Sequence, residues 1–332
     1  MVKTAQLPVY DKKSLPPQET VDLFKTAFFN ELYGSETIDE LLSQIQTVKT
    51  DLYNRDYLSA FENNVKRTAY CCRWSPSRAT AYSSLFAHLT EVTDVLTCKD
   101  GEDQDVLCIG GGAGGELVAI ASLFAPSRSF DSKYRTKRIE SEDGDLHGTP
   151  TKTTLNLHLV DVANWENVLK RLSDTIEDRW LYQGEMKYFN TTFTNKNILE
   201  MSNDEMHISN LNLITLLFTT NEIFTEHKTE SVKLFQKFNK SCKKGCYLLI
   251  VESAGSYSNI TIGSKVFPIH FLVDTILVGK RSAKKDFSGG LGEGSWSLIK
   301  ENDNIWYRGD TQLDYPMKLE NMRIFYRLYR KN

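Results

Sequence analysis

The chain has 332 residues, 40% of them hydrophobic and 25% charged, with a formal net charge of −3, values ordinary for a soluble globular protein of one large domain or two modest ones. No apolar run is long enough to cross a bilayer, and Met1 to Pro17 is polar, with neither the apolar core of a signal peptide nor the arginine-rich face of a transit peptide. The mild acidity argues against a dedicated nucleic-acid binder on average. Four basic clusters, at Lys133–Arg138, Lys237–Lys244, Lys280–Lys285 and Arg323–Lys331, keep RNA open. Six cysteines form no C-x-x-C metal framework and fit a reducing compartment, nucleus, nucleolus or cytoplasm. Cys71, Cys72 and Cys108 read as buried packing.

In chain order, Val21, Phe24, Phe28 and Leu32, then Ile38, Leu41, Leu42 and Ile45, recur at helical spacing with Gly34 between the two sets. A second helical pair is expected over 52–68 and 77–96. No clear strand occurs in residues 1–99, which read as a helical region in front of the domain that follows, 100–332. Within this region, Ser75 followed by Pro76 reads as a helix cap with proline at the first position. That leaves Arg73, Trp74 and Arg78 unexplained; two arginines and an indole suit a carboxylate, a phosphate or a base. Arg78 is placed with a bound cofactor.

The centre of the chain is Asp105 to Leu117. Val106–Ile109 is a short apolar run of the kind found in a buried parallel strand, and five of the next six residues are glycine. A helix should follow over Glu116–Phe124, its N-terminus facing a nucleotide-like ligand. Gly110, Gly112 and Gly115 fit the dinucleotide pattern G-x-G-x-x-G. Gly110, Gly112 and Gly114 fit the G-x-G-x-G turn of S-adenosylmethionine-dependent methyltransferases.

A polar insert, 127–154, should leave the sheet on the face opposite the ligand crevice, where it suits partner contacts. Leu155–Val160 is the second strand, ended by Asp161. An acidic residue there receives ribose hydroxyls, or alternatively caps the helix expected over Asn164–Trp180. Lys187–Thr194 is strand three, with Asn197 beyond it. Leu211–Phe218 is strand four, followed by a crevice loop, Thr219–Glu222. Lys228–Lys244 is a helix stopped by Gly245, and Cys246–Val251 is strand five, with Glu252 at its tip. A helix over Pro268–Val278 and a glycine-rich connection over 288–294 follow.

Asn304–Arg308 and Asn321–Tyr329 are strand-like, and the bend between them is too short for a crossover helix, so they pair antiparallel. Five parallel strands closed by an antiparallel hairpin is the methyltransferase layout. The fold class is therefore α/β: a Rossmann-like class I methyltransferase sheet behind a helical N-terminal region.

The blocks Arg73–Ala79, Leu107–Glu116, Trp306–Arg308 and Tyr315–Arg323 resemble the fungal S-adenosylmethionine-dependent enzymes that methylate N3 of a uridine in 25S ribosomal RNA, specifically the second of two such yeast families. The resemblance spans residues 18 to 330. It implies S-adenosyl-L-methionine as cofactor, Gly110, Gly112 and Gly114 along its methionine and ribose side, Asp161 at the ribose and Asn197 at the adenine, where many relatives carry Asp. It implies a ribosomal RNA or pre-ribosomal particle as partner, no membrane and no metal. Uridine N3 carries a proton at neutral pH, so a base is needed, and Glu222 and Glu252 at the tips of strands four and five are the candidates. Tyr257, Trp306, Tyr307 and Tyr315 are candidates for stacking on an unstacked base, Trp306 being also a candidate for the core. A protein or small-molecule methyltransferase and a non-catalytic module of the same fold are the alternatives.

Overall fold

The computed structural model describes residues 5–128, 152–181, 184–255, 259–262, 265–279 and 294–332. Residues 129–151 of the insert, the basic clusters at 133–138 and 280–285, Tyr257 and most of the glycine-rich connection lie outside the described residues.

Among the described residues, six helices precede the parallel strands of the main sheet: α1 (Pro17–Ala27), α2 (Phe29–Tyr33), α3 (Ile38–Tyr53), α4 (Tyr57–Ala60), α5 (Asn64–His88) and α6 (Thr90–Leu96). The two halves of the first helical pattern thus appear as α1–α2 and α3. The second pair is replaced by one long helix, α5, flanked by two short ones. Ser75 caps nothing. The cap of α5 is Asn63, whose side chain accepts from the Lys66 N–H at 2.9 Å, and Pro76 lies inside the helix. A proline there removes the donor for the carbonyl four residues back, that of Cys72. The Tyr315 hydroxyl supplies it, at 2.5 Å. This bond is why the helix runs through a residue that read as its start.

The sheet contains β1 (Ala5–Gln6), β2 (Gln104–Ile109), β3 (Leu155–Asp161), β4 (Phe189–Asn195), β5 (Leu213–Leu217), β6 (Tyr247–Ser253), β9 (Trp296–Tyr307) and β10 (Met322–Lys331), and β7 (Asn259–Ile262) pairs with β8 (Lys265–Pro268) apart from it. The order across the sheet is β1-β9-β10-β6-β5-β2-β3-β4. Strands β2 to β6 are mutually parallel, and β10 runs antiparallel to both β6 and β9. The five parallel strands and terminal hairpin expected from the sequence are present. The unexpected member is β1, which pairs parallel to β9 at Ile305 and Trp306 and shields that edge.

The remaining helices among the described residues are α7 (Gly115–Arg128), α8 (Glu166–Trp180), α9 (Thr220–Glu226), α10 (Lys228–Ser241) and α11 (Ile269–Leu277). The stretch after strand four is therefore helix α9 rather than an open loop. Period-two alternation divides the apolar residues into two cores. Val106 and Cys108 face the core shared with α5, α7 and α8; Leu107 and Ile109 face the core shared with α9, α10 and α11. The first core also contains Phe24, Phe28, Leu41 and Phe86, so the N-terminal helices and the sheet bury their apolar faces against each other. All six cysteines are buried, which agrees with the packing reading. No helix among the described residues is long and apolar enough to cross a membrane.

Candidate active site

Helix α5 crosses directly over the glycine turn. Ser75 Oγ donates to the Ala113 carbonyl at 2.6 Å, and a methyl group at Gly115 would lie 3.3 Å from the Ser75 carbonyl oxygen. The turn is compact for reasons its neighbours make plain. Gly110 has φ +76°, and a Cβ there would fall 2.1 Å from Thr219 Oγ1; one at Gly112 would fall 2.0 Å from the Trp165 indole. Only glycine lets the ends of β2 and β5 approach this closely. Thr219 Oγ1 donates to the Ile109 carbonyl at 3.1 Å and fastens the two strand tips together.

A cavity of about 180 Å³ opens at the carboxyl ends of β2, β3 and β5. That is the expected crevice of a doubly wound sheet. Gly110, Asp161, Asn197, Arg78 and Glu222 all lie on its wall. The structure therefore brings together five of the eight site residues expected from the sequence. Gly112 and Gly114 stand in the turn beside it. Glu252 does not reach the wall.

Asp161 caps no helix. Its Oδ2 accepts from the Gly112 N–H at 3.1 Å and its Oδ1 from the Ala163 N–H at 3.0 Å, while the N-cap of α8 is Trp165. Burial pushes its carboxyl up to about 6 against the pull of these two amides, so it is still mostly ionised at neutral pH. Asn197 accepts from the Leu199 N–H at 3.1 Å and caps the short 3₁₀ turn 198–200. Its position on the wall is the one expected, and its amide oxygen already has a partner.

Arg78 lies with its guanidinium 5.4 Å from the Tyr70 ring centroid and 5.3 Å from that of Phe218. It is half-buried and makes no ion pair among the described residues. Phe218 itself has φ +62°, a strained conformation for a bulky residue, at the tip of β5 beside the cavity. Arg73, by contrast, faces away from the site. It bonds the Lys318 carbonyl at 2.9 Å and the Glu320 carboxylate at 2.5 Å, and Ser77 Oγ accepts from the Glu320 N–H at 2.9 Å. Two of the sequence blocks singled out for function thus hold each other in place.

Glu222, in the first turn of α9, lies on the cavity wall. Burial pushes its carboxyl up to about 8; the Glu252 charge adds to this and Arg78 opposes it. Glu252 is 3% exposed and lies beneath α9, where its Oε1 accepts from the Asn221 N–H at 2.9 Å. Burial pushes it up to about 7. Of the two carboxylates, one faces the cavity and the other supports the helix that carries it.

Sequence reading missed the opposite wall. Tyr57, Phe61, Tyr70 and Trp165 form it, with Phe61 5.1 Å from both Tyr70 and Trp165. Also missed was Glu116, buried behind the glycine turn, which accepts from the Thr215 hydroxyl and is pushed up to about 7 by burial. A carboxylate opening a helix after a glycine turn was the signal for Glu116. No local pattern marked Phe61 or Tyr70. The proposed stacking residues are also redistributed. Tyr307 is fully buried and its hydroxyl donates to the Val9 carbonyl at 3.3 Å, and Tyr315 is engaged with Cys72. Trp306, the candidate for the core, is half-exposed.

The donor set suits an S-adenosylmethionine-type ligand. A carboxylate at the tip of β3 matches ribose hydroxyls, the half-buried Arg78 guanidinium on the cavity wall matches a carboxylate, and an aromatic wall matches an adenine or a sulfonium face.

The model of the family described as "Putative SAM-dependent methyltransferase" matches residues 24–330. The chain is 54% identical over 337 aligned positions to the 25S rRNA (uridine(2843)-N(3))-methyltransferase of Saccharomyces cerevisiae, covering 99% of this chain and 90% of that protein. Among solved structures, the N-methyltransferase NodS of Bradyrhizobium japonicum WM9, in complex with S-adenosyl-L-homocysteine, is 14% identical with a TM-score of 0.34 over 87% of this chain and 98% of that one. An rRNA methylase from Streptococcus thermophilus is 10% identical with a TM-score of 0.34 over 72% of this chain and 93% of that one. The fold assignment itself stands on the strand order.

Proposed function

Because the chain belongs to this family of S-adenosylmethionine-dependent methyltransferases, we propose that it methylates N3 of a uridine in 25S ribosomal RNA, with Glu222 accepting the N3 proton. The relationship to the yeast enzyme supports the substrate. The observation that carries the mechanism is the position of Glu222 on the cavity wall with a carboxyl pushed up to about 8.

The bound cofactor supplies an electrophilic methyl group. The chain's residues supply binding, orientation and proton transfer. Asp161 holds the ribose hydroxyls, Arg78 the methionine carboxylate, and Asn197 borders the adenine. The Gly110–Gly114 turn brings main chain against the ligand. A nucleophile held in line with an activated methyl group needs little further assistance, so positioning accounts for much of the rate. Uridine N3 must also lose its proton. A carboxylate with raised proton affinity is a stronger base than an ordinary one, and near neutral pH an appreciable fraction is still ionised. Glu252 raises that affinity by repulsion and bonds the start of α9, so it acts as a positioning residue. Tyr57 and Phe61 give the cavity an aromatic wall.

The domain division at residue 99 is part of this proposal: the helical region contributes Arg78, Tyr57, Phe61 and Tyr70, and the sheet domain contributes Trp165 and the rest. The test is methyl transfer from radiolabelled S-adenosylmethionine to RNA. Transfer to large-subunit RNA that is lost on RNase treatment is expected; RNase-resistant label would assign a protein substrate instead.

A further inference from the structure

Residues Trp306, Arg308 and Arg323 belong to sequence blocks that the cofactor site does not use. Strand β6 ends at Ser253 on the crevice edge of the sheet, where it pairs with Ile324 of β10, and Arg323 in turn pairs with Trp306 of β9. The Arg323 carbonyl also accepts from the Ala254 N–H at 3.0 Å. The three residues therefore stand on the same edge of the sheet as the cavity. The steps β5–β6–β10–β9 place Arg323 two strand spacings away and Trp306 three, roughly 10 and 14 Å.

Ile305 and Tyr307 are buried in the core on one face, so Trp306 between them points to the other. There the Arg308 guanidinium lies 4.9 Å from its ring centroid and that of Arg323 6.0 Å. Arg323 Nε donates to Asn304 Oδ1 at 2.8 Å, which fixes its plane. Both arginines are exposed and neither has an ion pair among the described residues. Arg55, Arg78 and Arg330 likewise lack one there, and what distinguishes Arg308 and Arg323 is the one indole they both approach. Arg73 has Glu320, Arg171 has Glu31, Arg179 has Glu19, and Arg327, further along β10, has Asp303 and Glu301. Two cations on one indole repel each other, and neighbouring like charges on a sheet are unfavourable. An anionic partner reverses the sign of that interaction.

Resting on the RNA reading above, we propose that Arg308 and Arg323, ordered by Trp306, bind the phosphodiester backbone of the RNA substrate beside the target uridine. Guanidinium forks match phosphate oxygens in pairs, and a planar cation held on an aromatic ring loses little freedom on binding. The indole edge adds a surface on which an unstacked base can lie.

The test uses the full chain and deproteinised 25S ribosomal RNA from cells lacking the enzyme. Affinity is measured across a salt series for the wild type, the double variant Arg308→Gln/Arg323→Gln, and the double variant Arg308→Lys/Arg323→Lys. The Gln variant should bind RNA more weakly, and its slope of log affinity against log salt should fall by about 1.4, two single-strand phosphate contacts at roughly 0.7 each. Cofactor affinity and unfolding midpoint should stay at the wild-type values. The Lys variant should retain the slope and lose part of the affinity. Unchanged RNA affinity and slope in the Gln variant, with a wild type that binds and methylates RNA, overturns this inference alone. Normal binding of bare RNA with loss of methylation only on ribosomal particles also overturns it, assigning the patch to a protein. A wild type that neither binds nor labels RNA overturns both readings.

Discussion

The Tyr315 hydroxyl donates to the Cys72 carbonyl at 2.5 Å, and that carbonyl is the one whose helical donor Pro76 removes. One bond, spanning 243 positions in sequence, thus fastens the C-terminal hairpin connection to α5 and repairs the helix that passes over the glycine turn.

Replacing Tyr315 with Phe should therefore act on stability. A buried carbonyl left without a donor costs about 1–3 kcal/mol. Urea unfolding should show a loss of that size, with RNA affinity of the folded protein unchanged. Equal stability together with weakened RNA binding would return Tyr315 to the stacking role.

The sheet and the cofactor turn were legible in the sequence because their determinants are local. Val106–Ile109 alternates between two covered faces, Gly110 needs a positive φ, and Asp161 ends a strand. The long α5 was not legible, because its continuity past Pro76 depends on Tyr315. The aromatic wall was not legible either: Phe61, Tyr70 and Trp165 meet only when α5 lies across the tips of β2 and β3. Trp306 and Tyr307, adjacent in a strand, point to opposite faces, and which of those faces is covered is decided by distant residues, among them Leu7 and Val9. Hence the roles of those two residues were exchanged.

Cofactor binding tests the Asp161 and Arg78 assignments. Each offers a charge-assisted hydrogen bond, worth about 1.5–3 kcal/mol. By calorimetry, Asp161→Asn and Arg78→Gln should each weaken S-adenosylmethionine binding about 10- to 100-fold. Wild-type affinity in either variant would remove that residue from the cofactor site.

The two carboxylates can be separated by pH. Glu222 accepts a proton only when ionised, so the rate should rise with pH through about 8 and then level off. Glu222→Gln should abolish turnover with cofactor affinity nearly intact. Glu252→Gln should keep turnover and move the midpoint to lower pH, because the repulsion that raises Glu222 is gone. Loss of turnover in Glu252→Gln with survival in Glu222→Gln would reverse the assignment.

The same group bears on stability. Glu222 is pushed from its ordinary 4.5 to about 8 in the fold, so the native state holds that proton more tightly than the unfolded chain. Its contribution is fully present below 4.5 and is lost as pH rises toward 8. Glu222→Gln should therefore gain stability near pH ~9, on the order of 2–4 kcal/mol, and little near pH ~4. Parallel stability curves for the two proteins would contradict the burial of an ionisable group at this position.

The central claim is methylation of uridine N3 in 25S RNA by a cavity that presents Glu222. The most direct measurement adds purified protein and radiolabelled S-adenosylmethionine to large-subunit RNA from cells lacking it, then digests the RNA to nucleosides. The account predicts label in 3-methyluridine, sensitive to RNase and absent with Glu222→Gln. Label confined to protein, or no label from a chain that does not bind the cofactor, would contradict it.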